Sequence, residues 1–168
     1  VFSKFGSFWR DAVKITAPDR QEFDFFGYSV SISGSLCAVG APGEDHDQTG
    51  TGTSNTTQSG YASNSGAVYL YSYDGANWNF LTKLTAPVRE ASDQFGTKVL
   101  LYGNRLITSA PGEDHDASEA NLLSNSGSVY SFVLQNGTWV LEQKIVASDR
   151  ASGDEFGNSV DFDGTTLV

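Results

Sequence analysis

Short apolar–polar alternations, four to a unit and separated by glycine turns, recur along the chain. In the first unit Val30 and Ile32 alternate with Ser29, Ser31 and Ser33, the period of a half-buried strand. Gly34 marks a tight turn, where glycine tolerates positive φ, and a second strand is expected over residues 36–40. That strand stops at Ala41-Pro42-Gly43, because proline cannot donate to a ladder. A polar loop follows from Glu44 to Ser65. The third strand, over residues 65–71, holds Val68, Tyr69, Leu70 and Tyr71, a run that suits a sheet covered on both faces. Asp74-Gly75 is a hairpin signal, and a fourth strand carries Trp78 and Lys83.

The same text then returns. Phe26 precedes Ala41-Pro42-Gly43 by 15 residues, Phe95 precedes Ala110-Pro111-Gly112 by the same interval, and Phe156-Gly157 opens a third copy. Trp9, Trp78 and Trp139 each stand 5 residues before Lys14, Lys83 and Lys144. The lysines are 69 and then 61 residues apart, and the difference falls in the loop around residues 49–54, where an insertion marks a surface loop. Four-stranded units of this length, each with glycine and aromatic marks, predict an all-β fold of β-propeller blades. Residues 1–18 are expected as the last strand of one blade, 19–87 and 88–148 as complete blades, and 149–168 as the first strands of another. The Phe of each Phe-Gly is expected to be wedged between blades.

Phe-Gly, then Gly-Ala-Pro-Gly (Gly40–Gly43), then Ser65-Gly66-x-Val68-Tyr69, resembles the FG-GAP repeat. The longer run through Lys83-Leu84-Thr85-Ala86 and Val39-Gly40-Ala41-Pro42-Gly43 is similar to the microbial secreted branch of that family rather than to integrin α subunits. The resemblance implies an extracellular binding or adhesion propeller, often calcium-stabilised, with no catalytic centre. The integrin-type calcium hairpin is represented only by Asp161-Phe162-Asp163-Gly164; the corresponding hairpins at Gly34 and Gly103 carry no carboxylates.

Charge narrows the choice of partner. A net charge of −10 disfavours nucleic acid and anionic membrane surfaces, which need clustered Lys and Arg. No apolar run reaches the roughly 20 residues of a membrane-spanning helix. The one cysteine, Cys37, excludes an internal disulfide and reads as a small buried hydrophobe. Asn55 and Asn136 begin glycosylation sequons, meaningful in a secreted eukaryotic protein.

Candidate chemistry lies in the acidic loops. Glu44, Asp45 and Asp47, with their twins Glu113, Asp114 and Asp116, offer hard oxygen ligands for Ca²⁺; the alternative is a solvated loop whose aspartates cap turns. His46 and His115 hint at zinc, but each loop offers one histidine and no thiolate. Arg20, Arg89 and Arg150 recur in register with Asp24, Asp93 and Asp154, which reads as a partly exposed salt bridge worth at most about 1 kcal/mol. No nucleophile, base and orienting acid fall at a supporting spacing, so no enzyme is expected. Tyr61, Trp78 and Trp139 could stack on sugars, although a Trp at a fixed repeat position suits blade core. The expected function is a non-catalytic extracellular binding, adhesion or assembly module, with a lectin-like or enzyme-accessory propeller as the alternative. Its expected partners are protein or glycan ligands at the cell surface and neighbouring blades. Unpaired edges at both ends suggest a cut from a longer ring or copies joining end to end.

Overall fold

The structure is a computed structural model that describes residues 1–10, 13–47 and 60–168. β1 (Ser3–Phe5) and β2 (Phe8–Arg10) form a two-stranded hairpin. A four-stranded antiparallel sheet follows in the order β3 (Ser29–Ser33), β4 (Leu36–Ala41), β5 (Ala67–Tyr73), β6 (Trp78–Leu84). β7 (Val99–Tyr102), β8 (Arg105–Ala110), β9 (Ser128–Gln135) and β10 (Thr138–Ile145) repeat that sheet. The two sheets are the two expected blades, and no helix occurs among the described residues.

The N-terminal expectation needs correcting. Residues 1–18 do not form one strand: Gly6, at φ +60°, turns the chain back so that Lys4 lies opposite Trp9. Beyond the described part of that ladder, Val1 and Val13 exchange backbone hydrogen bonds at 2.9 and 2.7 Å. After Val13, Ile15 and Ala17 cover blade 1, and Tyr71 donates its hydroxyl proton to the Thr16 carbonyl at 3.0 Å. In the third copy the expected strands shrink to a single bridge, Phe162 to Leu167.

Blade 2 sits on blade 1 through one continuous core. Val68 and Leu70 of β5 face Phe95, Val99, Leu101, Leu106 and Tyr130, whereas Tyr69 and Tyr71 turn to the opposite face. Phe95 is fully buried, edge-on to Tyr130 at 5.3 Å and Phe132 at 6.1 Å. Burial of such a ring stabilises by about 1.5–3 kcal/mol. Phe26 occupies the same place over Tyr69 and Tyr71 but is only half-buried.

Two backbone devices fix the stacking. The N–H groups of Ser92, Gln94 and Phe95 donate to the carbonyls of Ser63, Asn64 and Ser65, and Gly153, Glu155 and Phe156 do the same to Ser124, Asn125 and Ser126. At the inner edge, Ser29, Ser31 and Ser33 turn their hydroxyls to the N–H groups of Val99, Leu101 and Gly103 at 3.0, 2.9 and 3.1 Å. The serine face of β3 therefore satisfies donors that an edge strand would otherwise leave open.

Gly96 has φ +92°, and a Cβ there would collide with the Ala67 carbonyl of the preceding blade; Gly75 has φ +98° with nothing within 4 Å. Chemical denaturation separates these two effects. Gly75→Ala is expected to cost about 1 kcal/mol for the backbone conformation alone. Gly96→Ala should cost at least twice that, and equal losses would remove the close approach from the account.

Candidate functional site

The Ala-Pro-Gly turn throws Glu44 and Glu113 inward instead of into solvent. Glu44 Oε1 lies 3.1 Å from the Lys83 ammonium and accepts the His46 N–H at 2.9 Å, while Oε2 accepts the Tyr69 hydroxyl at 2.7 Å. Glu113 is held the same way: Oε2 contacts the Lys144 ammonium and accepts the Tyr130 hydroxyl at 3.0 Å, and Oε1 accepts the His115 N–H at 2.8 Å. Both lysines come from the fourth strand, five residues after Trp, and both ammonium groups lie over a tyrosine ring, at 5.5 and 5.7 Å.

A second carboxylate meets each lysine, but from a different place. Asp19 in the linker meets Lys83 at 2.9 Å. In blade 2 Val88 stands at that linker position, and Glu119 of the acidic loop reaches Lys144 at 2.7 Å instead. Burial, then the neighbouring Glu113 charge, raises Tyr130 above the ordinary tyrosine range, and Tyr69 rises for the same causes with Glu44. Both phenols are therefore fixed donors. For Glu113, burial alone would raise the pKa, but the hydrogen bonds from Lys144 and His115 outweigh it and hold the carboxyl below its usual value. For His115, burial lowers the pKa, and the Glu113 hydrogen bond with the Glu113 and Glu90 charges carries the net shift upward.

The remaining carboxylates of the acidic loops do not converge with these glutamates. Asp45 accepts the Asn64 N–H at 2.7 Å, and Asp114 accepts the Asn125 N–H at 2.6 Å. The Asp47 carboxylate lies against Gly60. Asp116 caps its own turn through the N–H groups of Ser118 at 2.8 Å and Ala120 at 3.2 Å. Glu113, His115 and Glu119 form the one group of three metal-type ligands among the described residues, and the Lys144 ammonium contacts both glutamates of that set. In the third copy, Asp163 caps the N–H groups of Thr165 and Thr166, each at 2.8 Å.

The in-register Arg and Asp residues do not pair with each other, which corrects the salt-bridge reading. Arg89 reaches back into blade 1, donating to the carbonyl of Asp45 at 2.9 Å, to the Ser65 hydroxyl at 2.6 Å and to the Gly60 carbonyl. Arg150 does likewise to Asp114 at 2.8 Å and Ser126 at 2.9 Å. The planar fork suits several oxygens at once, so each linker clamps the acidic loop of the preceding blade. Asp93 accepts the Glu90 N–H at 2.7 Å, and Asp24 accepts that of Gln21. Burial raises Asp93 to about 7 and Asp24 to about 6.

The aromatic candidates divide. Trp139 is core, Trp78 is half-buried 5.2 Å from Tyr73, and Tyr61 meets His46 edge-on at 5.6 Å. Asn136 is exposed on the β9–β10 hairpin, and Asn55 lies outside the described residues. Cys37 is buried and free.

Stacked four-stranded blades, joined at Phe-Gly and closed over an inward glutamate, define a β-propeller segment. The profile of the FG-GAP repeat matches residues 9–71, 78–132 and 139–168, and the chain belongs to that family. No curated protein matches the chain significantly.

Removal of one partner leaves a buried charge uncompensated. Lys144→Met is therefore expected to cost about 3–5 kcal/mol, with Glu113→Gln in the same chain recovering part of the loss. A loss below about 1 kcal/mol would make the cluster incidental. The raised aspartates give a pH signature: the folded state holds their protons more tightly, so their contribution is complete below about pH 4 and fades as pH climbs through the folded values. Melting temperature should fall between about pH 4 and 7, and Asp93→Asn should flatten the upper part of that fall. An equally steep fall in the variant would contradict the assignment.

Proposed function

We propose that the chain is part of a non-catalytic, extracellular binding or assembly module whose blades hold loops on a rigid scaffold. The observation that supports this best is the repeated arginine clamp. Arg89 and Arg150 each fasten the two ends of the loop after Ala-Pro-Gly, at Asp45 and Ser65 and at Asp114 and Ser126, to the next blade. The buried glutamates, lysines and tyrosines are consumed in holding those loops. Binding surfaces are commonly carried on loops fixed in this manner.

The outward faces support assembly with further blades, of the same polypeptide or another. Val30 and Ile32 are 65% and 57% exposed, whereas their counterparts Val99 and Leu101 are buried to 2% and 8% by blade 1. The far face of blade 2 is unlike it. Arg105, Ser131 and Glu142, bonded together there, stand where blade 1 carries Leu36, Leu70 and Leu81. Unlike faces associate head to tail, as heterologous contacts do.

Calcium enters this reading only through Asp45, Asp47, Asp114 and Asp116, because lysines already neutralise Glu44 and Glu113. A fall of several degrees in melting temperature with EDTA, restored by Ca²⁺, supports the ion, and an unmoved melt removes it. For the function itself, fluorescently labelled chain added to cells is expected to bind saturably and to be displaced by unlabelled chain. Turnover of glycosidic, ester or phosphoester substrates would contradict the reading. Sedimentation across a range of concentrations is expected to reveal association, and a stable monomer throughout would end the self-assembly part.

A further inference from the structure

We propose that the linker edge of blade 1 carries a carbohydrate-binding cleft that takes a neutral pyranose against Phe23 and Phe25. This deepens the binding-module reading and rests on it. The first observation is a departure from the repeat. At the register of Phe23 the other copies place Ser92 and Gly153, and at that of Phe25 they place Gln94 and Glu155. Both rings stand in solvent, 72% and 58% exposed. Ser92 and Gln94 are exposed as well, although blade 1 is packed beside them. Exposure is thus a property of these two positions and not of an uncovered blade.

The second observation is conformational. Phe23 and Phe25 have φ +70° and +55°, the left-handed region, where a bulky side chain costs roughly 1–2 kcal/mol per residue. Ser92, Gln94 and Glu155 take the same conformation at φ +73°, +58° and +50°, so the backbone belongs to the linker of every copy and the rings alone are peculiar to this one. Neither ring belongs to the two apolar cores.

The third is shape and chemistry. Phe23 walls a cavity of about 700 Å³ with Gln21, Glu22, Asp45 and Asn64. An adjoining recess of about 190 Å³, walled by Phe25 and Tyr28, shares Gly43 and Asn64 with it. The larger volume is within the range of small-ligand sites. A pyranose presents C–H faces that stack on aromatic rings and a rim of hydroxyls that donate to carboxylates and amides. Glu22 and Asp45 repel anionic ligands, so the sugar is neutral rather than sialylated or sulfated.

The full chain tests this on an array of neutral, sialylated and sulfated oligosaccharides, beside Phe23→Ser and Phe25→Gln. Those substitutions install the residues that the second repeat carries on the same backbone conformation, so the fold is retained. The parent should bind at least one neutral glycan and no anionic one. Each variant should melt within a few degrees of the parent and lose at least tenfold in affinity. Absence of any neutral glycan, undiminished binding by both variants, or a preference for anionic glycans would overturn the proposal. A melt several degrees lower in either variant would also overturn it, by making the phenylalanines structural. Saturable cell binding that survives glycosidase treatment, with no glycan retained on the array, would sink the sugar and leave the binding module standing.

Discussion

The arrangement depends on a backbone-to-backbone approach where one blade enters the next. Gly96 passes so close to Gly40, Ala41 and Ala67 that no side chain fits between them, and Phe95 runs beside Gly66 as a parallel bridge. Once that contact is made, Phe95 drops onto the faces of both blades and the serines of β3 reach the inner edge of β7. An isolated four-stranded sheet would leave both faces wet; the contact turns two such sheets into one core.

That closeness at the Ala-Pro-Gly corner has an electrostatic consequence. The turn that admits the next linker also directs a glutamate into the blade, where an unpaired carboxylate is very costly. Lysine from the fourth strand and tyrosine from the third meet it in both copies, so three of the four strands are tied at one point. A glutamate held in this way anchors the loop that begins with it. The arginine clamp then holds the two ends of the loop from outside, so the base of the loop is set by the core.

Much of this was legible in the sequence. The fixed interval from Phe-Gly to Ala-Pro-Gly placed β3, β4, β7 and β8, and the two hairpin dipeptides placed β5, β6, β9 and β10. The constant Trp-to-Lys spacing was visible too, yet it could not name the lysine's partners, because Asp19 comes from the linker before one blade and Glu119 from the acidic loop within the other. Adjacent carboxylates looked like one ligand set; in a turn successive side chains point apart, so Glu44 goes inward and Asp45 caps Asn64. Arg89 and Asp93 looked like a pair because charge suggests charge, whereas carbonyls and N–H groups, invisible in a list of side chains, are their partners. Gly6 gave a turn signal between Phe5 and Phe8 that the longer Trp-to-Lys pattern masked.

Native-state hydrogen exchange in stepwise urea measures the central claim, that blade-to-blade contact makes one folding unit. Amides of Val39 and Leu70 in blade 1 and of Leu106 and Tyr130 in blade 2 should merge onto a single global unfolding free energy. Two separated isotherms, with either blade keeping its protection while the other has opened, would contradict it.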